Sequence, residues 1–475
     1  MPSTQARKLK RSPEEANVNT SETPHASDHK WSLLLAVVGG LLLVYVWRIQ
    51  EVIPLLATLQ IPTVLALAGL GLLLSNRPAL RRLSRFKQHP AVWTLVILAL
   101  GMVSIPFSVY PGHSFEFIFG GYVKLLILVA LILTAVRGRR DIDRLLLVHV
   151  AGGVLFTASS LWHDVRGATG RLGGLAFYDP NDLALVMLTV IPIILYLLVC
   201  RRYRFMRLIA LPLLLFFLFV FIQTGSRGGF LALVAMGLYL VLLFNAVPRW
   251  ARVTAIIGGI AVFSMGASDE YWEQMGTLLN PQDDYNWAGE SESGRMEIWQ
   301  RGLGYIAERP LTGVGARAFH IAEGRLSDLA RERAQYGLGV RWAAAHNSYI
   351  EMGAELGIFG FIAFSAMLFG SIWKAHSMRR HRRDPDYRAL GQALAASLIA
   401  FAVAGFFLSQ AWLPPVYAYV ALVAVFLALE REEVAAAAVA SRRGQRGTPA
   451  RRVAGAESMA YGRRSVDTEA WRARR

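Results

Sequence analysis

Residues 183–200 read LALVMLTVIPIILYLLVC and run directly into Arg201-Arg202-Tyr203-Arg204. A charge-free stretch of this kind is close to the roughly 20 apolar residues that one α-helix needs to cross the hydrocarbon core of a bilayer. The arginines that follow mark one side of the membrane, because Lys and Arg accumulate in the loops that stay in the cytoplasm. Similar runs occupy 31–47, 52–74, 91–109, 118–136, 145–162, 205–222, 229–246, 251–267, 347–373, 390–408 and 412–429. Pro54 and Pro62 are expected to kink the second of these helices. The pattern predicts an all-α, polytopic membrane protein of about 12 transmembrane helices, with one large loop outside the cytoplasm that contains short helices.

Composition points the same way. Of 475 residues, 54% are hydrophobic and only 17% charged, and the mean hydropathy is +0.39, too apolar for a soluble globular protein. A net charge of +17 would suggest nucleic acid in a soluble chain. Here the basic residues sit in short loops and tails between apolar runs, so topology accounts for them and no nucleic-acid partner is expected. With the N-terminus in the cytoplasm, the inside segments hold 37 of the 50 Lys and Arg and the outside segments 12, while Lys124 lies within a helix. The inside clusters include Arg81/Arg82/Arg85/Lys87, Arg137/Arg139/Arg140/Arg144 and Arg379/Arg380/Arg382/Arg383. Both termini then face the cytoplasm. Cys200 is the single cysteine, which excludes an intramolecular disulfide and a Cys-based metal site. The first apolar run follows Arg7, Lys8, Lys10 and Arg11 with no small-residue cleavage motif after it, so it is expected to remain as an anchor.

The expected organisation is a disordered cytoplasmic tail (1–30), transmembrane helices one to nine (31–267), an external loop or cap (268–346), helices ten to twelve (347–430) and a disordered basic tail (431–475). The two tails, rich in Arg, Ser, Ala and Gly, can lie on anionic lipid headgroups, so membrane lipids are expected partners. The loop carries eight Arg, no Lys and twelve Asp or Glu. Its net negative charge means that any attraction to an anionic substrate must be local to a few arginines. Within it, Met296–Ala307 places Ile298, Trp299, Leu303 and Ile306 at helical spacing, which predicts an amphipathic helix and a folded cap.

Four outer stretches contain candidate chemistry. The first is Gln223-Thr224-Gly225-Ser226-Arg227-Gly228-Gly229 at the start of helix eight, where exposed N–H groups, the helix dipole and Arg227 suit a phosphate or pyrophosphate. The same residues equally fit a tight turn with a snorkelling arginine. The second is Gly294-Arg295 leading into the amphipathic helix. Arg295 can meet an anion or simply remain solvated. The third is Ala345-His346-Asn347-Ser348-Tyr349-Ile350-Glu351. Ser348 and Glu351 have the spacing of a capping box, which puts His346 and Asn347 at the helix entrance, as polar caps or as acceptor-activating groups. Glu351 and Glu355 fall on one face of that helix, where carboxylates in a membrane are expected to face the interior with partners. The fourth, Gly173-Gly174 through Phe177-Tyr178-Asp179-Pro180-Asn181-Asp182, leads into helix six and reads as a helix cap, structural or site-shaping.

No metal-ligand spacing, Walker motif or dinucleotide fingerprint accompanies these stretches. An enzyme built this way draws its driving force from an activated substrate already outside the cytoplasm, for which polyprenyl-diphosphate-linked glycans are the obvious class.

Taken in order, Thr224–Gly229, Arg295 with Ile298-Trp299, Pro310-Leu311-Thr312-Gly313-Val314-Gly315 and His346-Asn347-Ser348-Tyr349 resemble the O-antigen ligase and polymerase superfamily. Pro180-Asn181 upstream and Glu355-Leu356-Gly357-Ile358-Phe359-Gly360 downstream fit the same pattern, so the resemblance covers roughly 170–372. It implies a metal-independent bacterial inner-membrane glycosyltransferase without a cofactor. Such an enzyme moves a glycan from undecaprenyl diphosphate to lipid A-core, a growing polysaccharide or a protein at the periplasmic face. It further implies that Arg227 and Arg295 hold the diphosphate and that His346 activates the acceptor, with Gly225, Ser226, Asn347 and Asn181 as substrate contacts. Two other classes remain open on the residues alone: a 12-helix secondary transporter and a non-enzymatic subunit of a polysaccharide export system. No internal repeat of transporter type is visible.

Overall fold

A computed structural model describes residues 31–166, 170–175, 178–277, 280, 294–381 and 384–447. The expected tail 1–30, residues 448–475 of the other tail, and Arg382 and Arg383 lie outside the described residues. The secondary structure found among them is helical apart from one isolated antiparallel bridge between Arg166 and Leu172.

The main helices are α1 (Leu33–Trp47), α2 (Ile61–Ser75), α3 (His89–Ser104), α4 (Val123–Ala135), α5 (Arg139–His163), α6 (Pro180–Val199), α7 (Met206–Thr224), α8 (Arg227–Leu243) and α9 (Arg249–Gly266). Then come α10 (Asp269–Gly276), α11 (Arg295–Glu308), α12 (Phe319–Arg325) and α13 (Asp328–Gln335), followed by α14 (Ser348–His381), α15 (Pro385–Ala404) and α16 (Pro414–Gly447). Among the described residues seven helices are long and apolar enough to cross a membrane, or eight if the bent pair Ile61–Ser75 and Arg77–Lys87 is one span. Two further apolar helices, α1 and α8, have 15 and 17 residues, just under the length of a full crossing. The chain is a multi-pass helical membrane protein.

At the second apolar run the prolines break the helix instead of kinking it. Pro54–Thr58 forms a short helix, Gln60 takes a left-handed conformation, and α2 restarts with Pro62 in its first turn. Each of these prolines lacks an N–H and falls in the first turn of a helix, where none is needed.

The core is a row in which α3 packs on α14, α14 on α15, α15 on α6, and α6 on α7, with α8 against α15 and α6. The central members α6 and α15 are the most enclosed spans. Small side chains allow this closeness: Ala389, Ala393, Ala395, Ala396 and Ala400 on α15 are fully buried, as expected where helices in lipid gain mainly from tight packing. Polar ties add to it, since the Ser397 and Tyr419 hydroxyls both donate to the Thr189 carbonyl at 2.7 Å. A second layer, α5–α1–α2–α4, joins the first where α5 packs on α6.

Between α9 and α14 the described residues 294–347 are folded, while 278, 279 and 281–293 lie outside the described residues. Ile298, Tyr305, Val314, Phe319 and Ile321 form a small core of its own. The apolar seam of α11 is not the expected one, however. Ile298, Trp299, Gly302 and Tyr305 are buried while Leu303 is exposed, because Gly302 faces α14, where even a methyl group would lie 2.5 Å from Ile350.

Pro310–Gly315 then crosses a break in α14. Gly357 is non-helical (φ 72°, ψ −172°), and the backbone groups released there pair with the crossing segment: Val314 N–H with Ala354 O (2.8 Å), Gly315 N–H with Glu355 O (3.0 Å) and Ile358 N–H with Pro310 O (2.8 Å).

Candidate functional site

The site begins at the N-terminus of α6. Asp179 caps it in a capping box with Asp182, and Pro180 occupies the first turn, the arrangement in which Pro loses nothing by having no N–H. This frees Asn181 for another task. Its Oδ1 accepts from the Ser226 hydroxyl (2.7 Å) and from Arg171 Nη2 (3.1 Å). Arg171 also donates through Nε to the Thr224 carbonyl at 2.8 Å. The start of α8 is thereby fixed against α6.

Ser226 caps α8, accepting from the Gly229 N–H at 3.0 Å, and Arg227 is the first helical residue. Gly225 is left-handed (φ 52°), and a side chain there would strike Gln274 of α10. Half-buried Arg227 donates through Nη1 to Thr277 Oγ1 at 2.6 Å. Asn181, Gly225, Ser226 and Arg227 are therefore one cluster, roofed by the end of α10.

The second cluster forms where α11 meets α14. Arg295 is the first residue of α11. Four residues on, the buried Trp299 indole donates to the Ala345 carbonyl at 3.0 Å, which brings the start of α11 beside His346. His346 itself adopts φ 46°, an uncommon conformation for a non-glycine residue, and its N–H donates to Ser409 Oγ at 2.8 Å. The expected capping box does not form. Asn347 caps α14 instead, accepting from the N–H groups of Tyr349 (2.9 Å) and Ile350 (3.1 Å). Ser348 Oγ donates to Leu408 O and accepts from Gln410 N–H.

The clusters meet in two places. His346 lies within electrostatic range of Asp179, the cap of α6. The Trp299 ring lies 6.5 Å from that of Phe407, which abuts Gly228 beside Arg227. Burial holds the His346 imidazole below its ordinary pKa. The Arg295 charge acts in the same direction, Asp179 opposes it, and Arg341 adds a smaller downward push. The net effect biases the His346 imidazole towards its neutral form.

Glu351 and Glu355 face the interior with partners, as carboxylates in a span should. Glu355 accepts from the N–H groups of Arg317 (2.7 Å) and Phe319 (3.2 Å) and from the Trp412 indole (2.7 Å). Glu351 pairs with the Arg317 guanidinium at 3.2 Å. They anchor the crossing segment and belong to the scaffold. Sequence reasoning singled out neither Arg171 nor Arg341. Arg171 lies just before the Gly173-Gly174 stretch, and only the fold shows that it joins α6 to α8.

The class is a multi-pass helical bundle with a folded segment packed on it, where arginines and a histidine meet. Residues 212–365 match the family model Wzy_C, O-Antigen ligase, which supports the resemblance to the O-antigen ligase superfamily over that stretch. The matched stretch is narrower than 170–372. It takes in Gly225, Ser226, Arg227, Arg295, His346 and Asn347 and leaves Arg171, Asp179 and Asn181 outside. No curated protein matches the chain. The match supports a ligase- or polymerase-type membrane function on glycan and lipid-linked substrates in general.

Proposed function

We propose that the protein transfers a glycan from an undecaprenyl-diphosphate carrier to an acceptor hydroxyl at the periplasmic face of the bacterial inner membrane. The acceptor is lipid A-core, a growing polysaccharide or a protein. The observation that carries this reading is the Trp299 indole bond to the Ala345 carbonyl, which brings Arg295, one turn earlier on α11, beside His346 at the entrance of α14. In this reading His346 takes the proton of the acceptor hydroxyl as its oxygen attacks the anomeric carbon. The bond from that carbon to the diphosphate oxygen breaks with inversion, and the leaving diphosphate carries the electron pair away. Arg227 and Arg295 hold it, since a planar guanidinium matches phosphate oxygens in pairs and the site gains most by stabilising charge that develops in the transition state. Gly225 and Ser226 let the backbone of α8 approach the diphosphate, while Asn181 and Asn347 fix the ends of α8 and α14. No metal takes part.

Alanine replacements of Arg227, Arg295 and His346 in the native host test this, with membrane levels checked and glycans examined by gel and mass spectrometry. Loss of transfer with carrier-linked glycan accumulating is the expected result. The product that disappears names the acceptor, and long carrier-linked chains indicate a ligase where single repeats indicate a polymerase. Unchanged glycans in all three well-expressed variants would reject it and favour a transporter.

A further inference from the structure

The opposite end of the bundle carries a second built feature. Asp179 and Arg202 bracket the 20-residue α6, so about 30 Å of helix separates them. Beside Arg202, the first turns of α5 and the start of α1 enclose a groove with a volume of about 620 Å³. Its lining is ordered by polarity. Arg140 and Arg144 lie on the first turns of α5, and Leu147, Val148 and Ala151 continue the same helical face towards the centre of the span. Arg202 and Tyr203 close it from the loop after α6, and Trp31 from the foot of α1.

The basic end is held in place. Arg144 donates to Asp141 at 2.9 Å and lies 5.5 Å over the Trp31 ring, while Arg202 reaches Asp143 at 3.4 Å. The Trp31 indole folds back along α1 onto Gly39, where an added methyl would stand 3.3 Å from the ring, and 46% of the residue stays exposed. A guanidinium has five N–H donors, more than one carboxylate contact uses.

We propose that this groove binds one anionic phospholipid from the surrounding bilayer, its phosphate at Arg140, Arg144 and Arg202 and an acyl chain along Leu147, Val148 and Ala151. A free phosphate would match the arginines and leave the apolar wall unused. A zwitterionic lipid would match the wall but bring no net charge to the three arginines. Only an anionic lipid fits both ends, and basic pockets between helices at a membrane surface suit such headgroups. The proposal is independent of the glycan reading, because it concerns the far end of α6.

Native mass spectrometry of the full-length protein, mildly delipidated and then supplied with phosphatidylglycerol or phosphatidylcholine, tests it. One phosphatidylglycerol should be retained at least about tenfold better than phosphatidylcholine, a preference within what three surface cations give. Arg140→Gln/Arg144→Gln/Arg202→Gln should abolish that preference. Ala151→Trp lies on an exposed face and keeps every charge, yet should lower retention by filling the wall. Arg77→Gln/Arg81→Gln, at an exposed basic cluster elsewhere, should leave it unchanged. Equal retention of the two lipids, undiminished retention in Ala151→Trp, an equal loss in the Arg77/Arg81 variant, or complete displacement by millimolar inorganic phosphate would each overturn the proposal.

Discussion

The Trp299 indole donates to the carbonyl of Ala345 at 3.0 Å, across 46 residues of sequence. That bond fixes the distance between two residues that the sequence places far apart, because Arg295 lies one turn before Trp299 and His346 directly follows Ala345. The Trp299 ring is also edge-on to Phe406 at 5.2 Å, so the apolar contact and the polar one act on different sides of the same side chain.

Trp299→Phe separates the two contributions. It keeps an aromatic ring against Phe406 and removes the donor, leaving the Ala345 carbonyl without its partner. An unsatisfied buried polar group costs about 1–3 kcal/mol, and a slight loosening of Arg295 against His346 is felt mainly in the rate. Glycan transfer by membranes containing this variant should fall by roughly tenfold while the protein accumulates normally. Trp299→Leu, which loses the aromatic contact as well, should also lower the protein level.

The pH dependence offers a test with two opposite signs. A base must be neutral to accept a proton, so the acid limb of the transfer rate reports protonation of His346. Arg341 disfavours the imidazolium and Asp179 favours it. Arg341→Gln should therefore raise the His346 pKa and move the acid limb to higher pH, whereas Asp179→Asn should move it lower. Arg341 is exposed, so its replacement should change the rate at pH 8 by no more than about twofold. A histidine that only orients the substrate would leave the acid limb in place in both variants, and rate profiles between pH 5 and 8 distinguish the cases.

Arg227 is expected to act through its geometry as well as its charge. One of its amino groups already donates to Thr277 at 2.6 Å, which orients the rest of the fork. Arg227→Lys retains the charge but has no planar fork, and a lysine at such a site is not a conservative change. Transfer should drop about 10- to 100-fold, measured as carrier-linked glycan consumed by membranes with equal protein. Thr277→Val should give a smaller loss in the same assay, since it removes only the orienting partner.

The legible and the illegible parts of this fold divide along physical lines. Charge-free runs such as 183–200 announce helices because lipid leaves the backbone no other way to satisfy its hydrogen bonds. The cap of α6 at Asp179-Pro180 is equally plain, since capping chemistry is local. The spacing of Ser348 and Glu351 points to Ser348 as the cap of α14. The structure uses Asn347, one residue earlier, because Ser348 is drawn to the Leu408–Gln410 turn and Glu351 to Arg317. Tertiary demands on a polar side chain are invisible in a four-residue window. Arg171 shows the same limit: its partners Asn181 and Thr224 lie 10 and 53 residues away.

Gly313 and Gly357 are the strongest test of the scaffold. Both take positive φ, 64° and 72°, and each faces backbone from the other's segment. A methyl group on Gly313 would lie 2.4 Å from the Glu355 carbonyl carbon, and one on Gly357 would lie 2.4 Å from the Pro310 oxygen. Backbone cannot move aside as a flexible side chain can, so alanine at either position meets a steric clash as well as the strain of the left-handed region. The strain alone costs about 1–3 kcal/mol. The clash also parts the hydrogen bonds that join Pro310–Gly315 to the break in α14, and with them the Glu355 contacts to Arg317 and Phe319. Gly304 is the control. It lies within α11 with nothing near its missing side chain, and Gly304→Ala should be neutral or stabilising by up to about 1 kcal/mol, as for glycine in any helix interior. Thermal unfolding of the purified proteins in detergent should therefore show a lower midpoint for Gly313→Ala and Gly357→Ala, and an unchanged or higher one for Gly304→Ala. If all three variants melt with the wild type, the crossing segment does not hold α14 open at Gly357.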